Sequence, residues 1–299
     1  MSETLEKIVV VGLGAMGLGM ARSLRRAGLP VVGVDLRAER REALGDPVHA
    51  SAQEAVEGAD LLILVVVNAA QVESLLFGSE GCVEGLAPGA IVMVSSTVPP
   101  SYARDLGRRL AERELLYLDA PISGGEKRAE EGSITIMASG PEAAFARARP
   151  ALEAMAGHLF RFGEEAGKGS SMKLINQVLA GVNLCTAAEA MALAQRLGLD
   201  LQQVYEVITT SAANSWMFEN RMPYVISGQS EPRSTVEIFV KDLGIVSDAA
   251  RELRFPAALS ATALQQFLAA AGLGLGERDD STVARVYATL AGVKLPGME

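Results

Sequence analysis

A short apolar run, Ile8 to Val11, leads directly into Gly12-Leu13-Gly14-Ala15-Met16-Gly17, and this junction constrains the fold more than any other part of the chain. Glycines so spaced between a strand and a helix serve three needs: Gly12 permits a tight turn, Gly14 lets a pyrophosphate approach the backbone, and Gly17 lets helix and strand pack closely. The phosphate then faces a helix N-terminus, where free N–H groups and the helix dipole favour an anion. The helix, Leu18 to Arg26, ends at Gly28, and a second apolar run, Val31 to Val34, delivers Asp35. An acidic group there accepts hydrogen bonds from an adenosine ribose and repels a 2′-phosphate, so the loop and Asp35 together predict NAD rather than NADP. Arg37, Arg40 and Arg41, close behind, pull the other way.

The same alternation continues. Leu61 to Val67, Ile91 to Val94, Leu115 to Leu118 and Ile134 to Ala138 are further strand candidates separated by helical lengths. Continuous apolar runs of this kind predict a doubly wound parallel α/β sheet of Rossmann type, covered on both faces. Beyond Gly163 the β-branched runs stop, and from Ser170 the chain is helical in period, with breaks at Gly198, Gly228 to Pro232, Phe255-Pro256 and Gly272 to Gly276. The expected organisation is a dinucleotide-binding domain over residues 1–163 and an all-α substrate and oligomerisation domain over 164–299. A long helix from about Ser170 to Leu197 enters the second domain, with the glycines at 163, 167 and 169 as hinge and the active site in the cleft between the domains.

Composition narrows the function. A chain of 299 residues, 49% hydrophobic and 21% charged, has material for two globular cores. Its net charge of −9 offers nothing to a polyanion, which argues against nucleic acid as a partner. The most apolar stretch, Leu174 to Ala194, is interrupted by Asn176, Gln177, Asn183 and Glu189 and reads as a buried helix rather than a membrane span. The first residues, Met1 to Lys7, run straight into a strand and leave no room for a leader. Cys82 and Cys185 form no CxxC pair, which fits a reducing, cytoplasmic setting. The two histidines, His49 and His158, have no ligand spacing, so no metal and no Ser-His-Asp hydrolase is expected.

Of six lysines, two lie within apolar helical segments. Lys173 sits near the start of the long helix, behind an expected cap at Ser170 or Ser171; burial and a helix N-terminus both disfavour its cation and suit it to proton transfer. Asn176 and Gln177, three and four residues on, share its face. Lys241, in Phe239-Val240-Lys241-Asp242-Leu243-Gly244, reads equally as a functional cation or as a structural pair with Asp242. Asp119-Ala120-Pro121-Ile122-Ser123-Gly124-Gly125 closes a strand with a hydroxyl and two glycines, which is either a plain turn or a loop able to hold a carboxylate.

Taken in order, GLGAMG at 12–17, Ser96-Thr97, DAPISGG at 119–125, GKGSSMKLINQ at 167–177 and KDLG at 241–244 resemble the β-hydroxyacid dehydrogenases over essentially the whole chain. The resemblance implies oxidation of a small anionic hydroxy acid with NAD. It implies Lys173 as the catalytic lysine, Ser123, Gly124 and Gly125 on the substrate carboxylate, and Asn176 orienting the substrate. Cofactor contacts would come from Gly12 to Gly17, Asp35, Leu36, Val67 and Asn68, with Thr97 and Lys241 at the nicotinamide end. Gln177 departs from the second asparagine of many relatives. Within the family, Asn214 to Arg221, Pro232-Arg233-Ser234 and Ile238 to Lys241 look most like the branch acting on L-threonate; 3-hydroxyisobutyrate and tartronate semialdehyde are the alternatives, and a non-catalytic NAD-binding module is a remote one. Trp216 reads either as a wall of the substrate pocket or as core. A homodimer or homotetramer is the expected assembly.

Overall fold

Six strands form one parallel sheet: β1 (Ile8–Val11), β2 (Val31–Val34), β3 (Val48–His49), β4 (Leu61–Leu64), β5 (Ile91–Val94) and β6 (Leu116–Asp119), in the order β3-β2-β1-β4-β5-β6. The computed structural model describes residues 5–228 and 232–298; the N-terminal residues 1–4 and most of the break expected after Gly228 lie outside the described residues. Two compact units divide the chain, Met1–Lys173 and Leu174–Glu299.

The sheet explains why its strands read as continuous apolar runs. Ile8, Val10, Leu61, Ile63, Ile91 and Met93 point into one core, and Val9, Val11, Leu62, Leu64, Val92 and Val94 into the other, all essentially without solvent access. The first core is closed by α1 (Ala15–Arg26), α6 (Gly125–Glu131) and α7 (Glu142–Met155), and the second by α3 (Ala52–Ala55), α4 (Ala69–Phe77) and α5 (Pro100–Ala111). The short α2 (Ala38–Leu44) follows β2. Strand order reverses between β1 and β4, and in sheets of this type a ligand binds at the carboxyl ends of the strands flanking that point.

Two expectations change. Ile134 to Ala138 is a strand, but it does not join the main sheet; as β8 it lies between β7 (Ile122–Ser123) and β9 (Ala156–Arg161) in a separate three-stranded sheet. The reason is local: from Asp119, which bridges Ser139, through Ser123 the chain pairs antiparallel with the β8 segment. The run from Leu61 leaves the ladder after Leu64, freeing Val65 to Val67 for a loop.

The second unit is helical: most of α8 (Lys168–Arg196), then α9 (Leu201–Thr209), α10 (Trp216–Ser227), α11 (Val236–Glu252), α12 (Ala258–Ala270) and α13 (Ala284–Ala291). Its core gathers Leu184, Met191, Met222, Phe239, Leu243 and Phe267, with the rings of Phe239 and Phe267 stacked at 4.8 Å. Beside that core Arg221 donates through Nε to Oδ1 of Asp280 at 2.7 Å and through Nη2 to Oδ2 at 3.3 Å, both side chains being buried. Removing one member of such a pair leaves an uncompensated buried charge. Arg221→Ala is therefore expected to lower the stability of the helical unit by about 3–5 kcal/mol, measured by urea unfolding followed by circular dichroism.

Candidate active site

The glycine loop is held by contact as much as by conformation. Gly12 has φ +93°, and a Cβ on Gly17 would lie 1.8 Å from the carbonyl oxygen of Gly12. Helix α1 begins behind Gly14 with no side-chain cap, so the N–H groups of its first turn, Ala15 and Met16 included, are not met by a capping side chain. A Cβ on Gly14 would meet no atom within 4 Å. This open backbone at an uncapped helix start fits a pyrophosphate, as the sequence pattern requires.

Asp35 secures the loop from the next strand. Its Oδ2 accepts the Leu13 N–H at 2.8 Å, and its Oδ1 accepts the backbone N–H of Arg37 at 3.0 Å and Nε of Arg37 at 3.2 Å. Burial works against the Asp35 charge, but the Arg37 side chain and the two backbone N–H groups outweigh it and hold the carboxyl below its ordinary range. Arg41 donates to the carbonyls of Asp35 and Leu36 at 2.7 and 2.9 Å. Two of the arginines read as rivals to Asp35 are thus tied to its own segment. The Leu36 side chain stands in solvent.

At the ends of β4 and β5, the Val66 N–H donates to Oγ of buried Ser96 at 3.0 Å, which ties the two loops together one residue before Thr97. Val67 donates its N–H to Oε1 of Gln71 at 2.8 Å, and Asn68 caps α4 by accepting the Gln71 N–H at 2.9 Å.

Lys173 is buried, and its Nζ donates to the carbonyl of Ile122 at 2.9 Å, one residue before Ser123. Gly124 and Gly125 follow, with φ of +140° and +75°, into α6. The helix that carries Lys173 starts at Lys168, ahead of the expected cap. Neither Ser170 nor Ser171 caps it: the Ser170 hydroxyl donates to Asp119 Oδ1 at 2.6 Å and that of Ser171 donates to the Gly167 carbonyl at 2.6 Å. The cap comes from β6 instead, because Asp119 Oδ2 accepts the N–H groups of Gly167 and Ser170, both at 2.9 Å. Burial pushes the Asp119 carboxyl above its ordinary value, against the pull of those hydrogen bonds.

Within the helical unit, Asn176 Nδ2 donates to Gln177 Oε1 at 2.8 Å, and Gln177 Nε2 donates to Asp242 Oδ2 at 2.6 Å. Lys241 Nζ donates to Asp242 Oδ1 at 2.5 Å, which is the structural pair that the sequence left open. Buried Asp242 therefore links Asn176, through Gln177, to Lys241. Sequence reasoning offered Asp242 only as a structural partner of Lys241 and missed its bond to Gln177, which comes from a helix 65 residues away in sequence. Trp216 is 47% exposed at the start of α10, which removes the reading of it as core; the Arg221 guanidinium lies 5.7 Å from its ring centre.

The family described as the NAD binding domain of 6-phosphogluconate dehydrogenase matches residues 7–163, and that described as NAD-binding of NADP-dependent 3-hydroxyisobutyrate dehydrogenase matches residues 167–287. The chain is similar to an L-threonate dehydrogenase of Cupriavidus necator, at 50% identity over 97% of this chain and 98% of the relative. It is 48% identical to the L-threonate dehydrogenase of Escherichia coli K12 over 96% of each. Among solved structures it is similar to a 3-hydroxyisobutyrate dehydrogenase from Salmonella typhimurium, at 48% identity with a TM-score of 0.90, covering 94% of this chain and 99% of that one. A nicotinamide dinucleotide is accordingly the cofactor of this chain. Because a methyl group on Gly17 cannot coexist with the Gly12 carbonyl, Gly17→Ala is expected to weaken cofactor binding at least about tenfold, or about 1.4 kcal/mol, in a fluorescence titration with NADH.

Proposed function

The chain belongs to the β-hydroxyacid dehydrogenase family, and we propose that it oxidises L-threonate at C2 to the corresponding 2-oxo acid with NAD. The observation that carries this reading is the buried Lys173 amine, held on the Ile122 carbonyl next to Ser123-Gly124-Gly125, in a chain half identical to a named L-threonate dehydrogenase. A bound nicotinamide would supply the acceptor for the hydride that leaves the carbinol carbon. Lys173, neutral before the step, takes the hydroxyl proton: an amine that donates one N–H to a carbonyl keeps its lone pair for the substrate. In the reductive direction the same group is the acid. The Ser123 hydroxyl and the N–H groups of Gly124 and Gly125 take the substrate carboxylate, an anion that the net charge of −9 would otherwise repel. Asn176, one turn beyond Lys173 on the same helix, orients the remaining hydroxyls.

Gly12 to Gly17, Asp35, Leu36, Val67, Asn68, Thr97 and Lys241 form the cofactor set in this reading. The functional division falls at residue 163, with nucleotide binding before it and substrate binding and self-association after it. Exposed Leu253, Phe255, Leu259 and Leu290 in the helical unit support a homo-oligomer, dimer or tetramer. Two unpaired, buried cysteines, their thiols pushed up by burial to about 11 for Cys82 and about 12 for Cys185, support a cytoplasmic setting. The similarity to a solved 3-hydroxyisobutyrate dehydrogenase favours that acid as the second reading.

Three measurements test the proposal. Lys173→Ala is expected to lower kcat by at least about a thousandfold while the NAD dissociation constant stays within about twofold; retained turnover sinks the assignment. Rates of NADH formation from L-threonate and 3-hydroxyisobutyrate side by side decide the substrate, and a preference for the latter by kcat/KM refutes the first reading. With Asp35 ionised against the 2′-phosphate, NAD is expected to exceed NADP in kcat/KM by at least about tenfold, and Asp35→Ser, which frees Arg37, to narrow that ratio.

A further inference from the structure

Helix α8 brings an unusual problem at its start. The N–H groups of its first turn cannot bond within the helix, and the backbone arrives against other backbone: a Cβ on Gly169 would lie 2.5 Å from the carbonyl oxygens of both Asp119 and Met137. Gly167, Gly169 and Ser170 are all buried there. Asp119, without solvent access itself, meets them from β6 by taking the Gly167 and Ser170 N–H groups on Oδ2 and the Ser170 hydroxyl on Oδ1. The Ser139 hydroxyl donates to Asp119 Oδ2 at 3.3 Å and accepts the Gly169 N–H at 3.1 Å, so a third N–H of the turn is met.

We propose that Asp119 is the positioning residue for Lys173. Ser170 stands one helical turn before Lys173, so the carboxylate that fixes Ser170 fixes the root of the lysine. The tip is fixed by the Ile122 carbonyl, three residues after Asp119 on the same segment. One stretch of chain thus grips the lysine at both ends, and the distance between the two grips sets where Nζ stands relative to Ser123. A proton acceptor displaced by about 1 Å can lose about a hundredfold in rate, so the cap is a determinant of kcat rather than of binding. The assignment rests on the reading of Lys173 as the proton acceptor.

Asp119→Ala, Asp119→Asn and Lys173→Ala of the full chain test it, assayed with L-threonate, or with 3-hydroxyisobutyrate if that is the acid the unmodified enzyme turns over. Asparagine keeps one oxygen for the two N–H groups and can donate to the Ser170 hydroxyl. The expected pattern is a kcat about 10- to 100-fold lower in Asp119→Ala, KM and the NADH dissociation constant within about threefold, and recovery of most of the rate in Asp119→Asn. Unchanged kcat in a folded, NADH-binding Asp119→Ala enzyme overturns the proposal, as does equal loss of rate and cofactor affinity in both Asp119 variants. If Asp119→Ala fails to fold, Ser170→Ala decides: a severalfold fall in kcat with unmoved NADH affinity supports the assignment, and an unmoved kcat overturns it. Turnover retained by Lys173→Ala defeats the reading of the lysine; an inactive Lys173→Ala beside a fully active Asp119→Ala defeats the positioning role alone.

Discussion

A carboxylate out of reach of water is tolerable only when donors surround it, and Asp119 is surrounded by four: two backbone N–H groups and two hydroxyls. The end of β6, the end of β8 and the first turn of α8 all converge on this one side chain. Replacing any of these elements by a slightly different geometry would orphan a buried charge or a buried donor. Such an arrangement has few alternatives, and it fixes the first turn of the helix from which the lysine projects.

The same device recurs twice. Asp35 uses its oxygens to fasten the Leu13 N–H of the glycine loop and the Arg37 side chain, and Asp242 uses its oxygens to fasten Gln177 and Lys241. In each case a buried aspartate organises residues that read as ligand-binding rather than meeting a ligand through every lone pair. The acidic balance of the chain is therefore partly internal scaffolding. This explains how a protein of net charge −9 can be matched to an anionic substrate class: part of its negative charge is bound by its own donors, while N–H groups at turns and helix starts provide the positive ends of dipoles.

The local parts of this design were legible from the residues. Strands β1, β2 and β5 stand where the β-branched runs put them, and the loop at 12–17 opens α1 as its glycines require, because steric need is written at the position that feels it. Reach across the chain was not legible. The helix holding Lys173 was expected to be capped by its own serines, and nothing near residue 170 announces that the cap stands at 119, on another element. Nor could β8 be assigned to a sheet from its composition, since Ile134 to Ala138 is as apolar as the strands it does not join; its pairing with β7 and β9 decides the matter.

The aspartates also show why residue type alone under-reads a site. Asp35 and Asp119 are chemically identical, yet burial and donors send their protonation in opposite directions. Asp35 is held below the ordinary carboxylate range chiefly by a guanidinium, which keeps a negative charge at the end of β2. Asp119 has no cation among its four donors, and burial raises its carboxyl, so its value lies in accepting hydrogen bonds that fix a helix rather than in offering charge to solvent. What distinguishes the two aspartates is the identity of the donor that reaches each. A sequence records the acceptor but only the folded chain brings the donor to it.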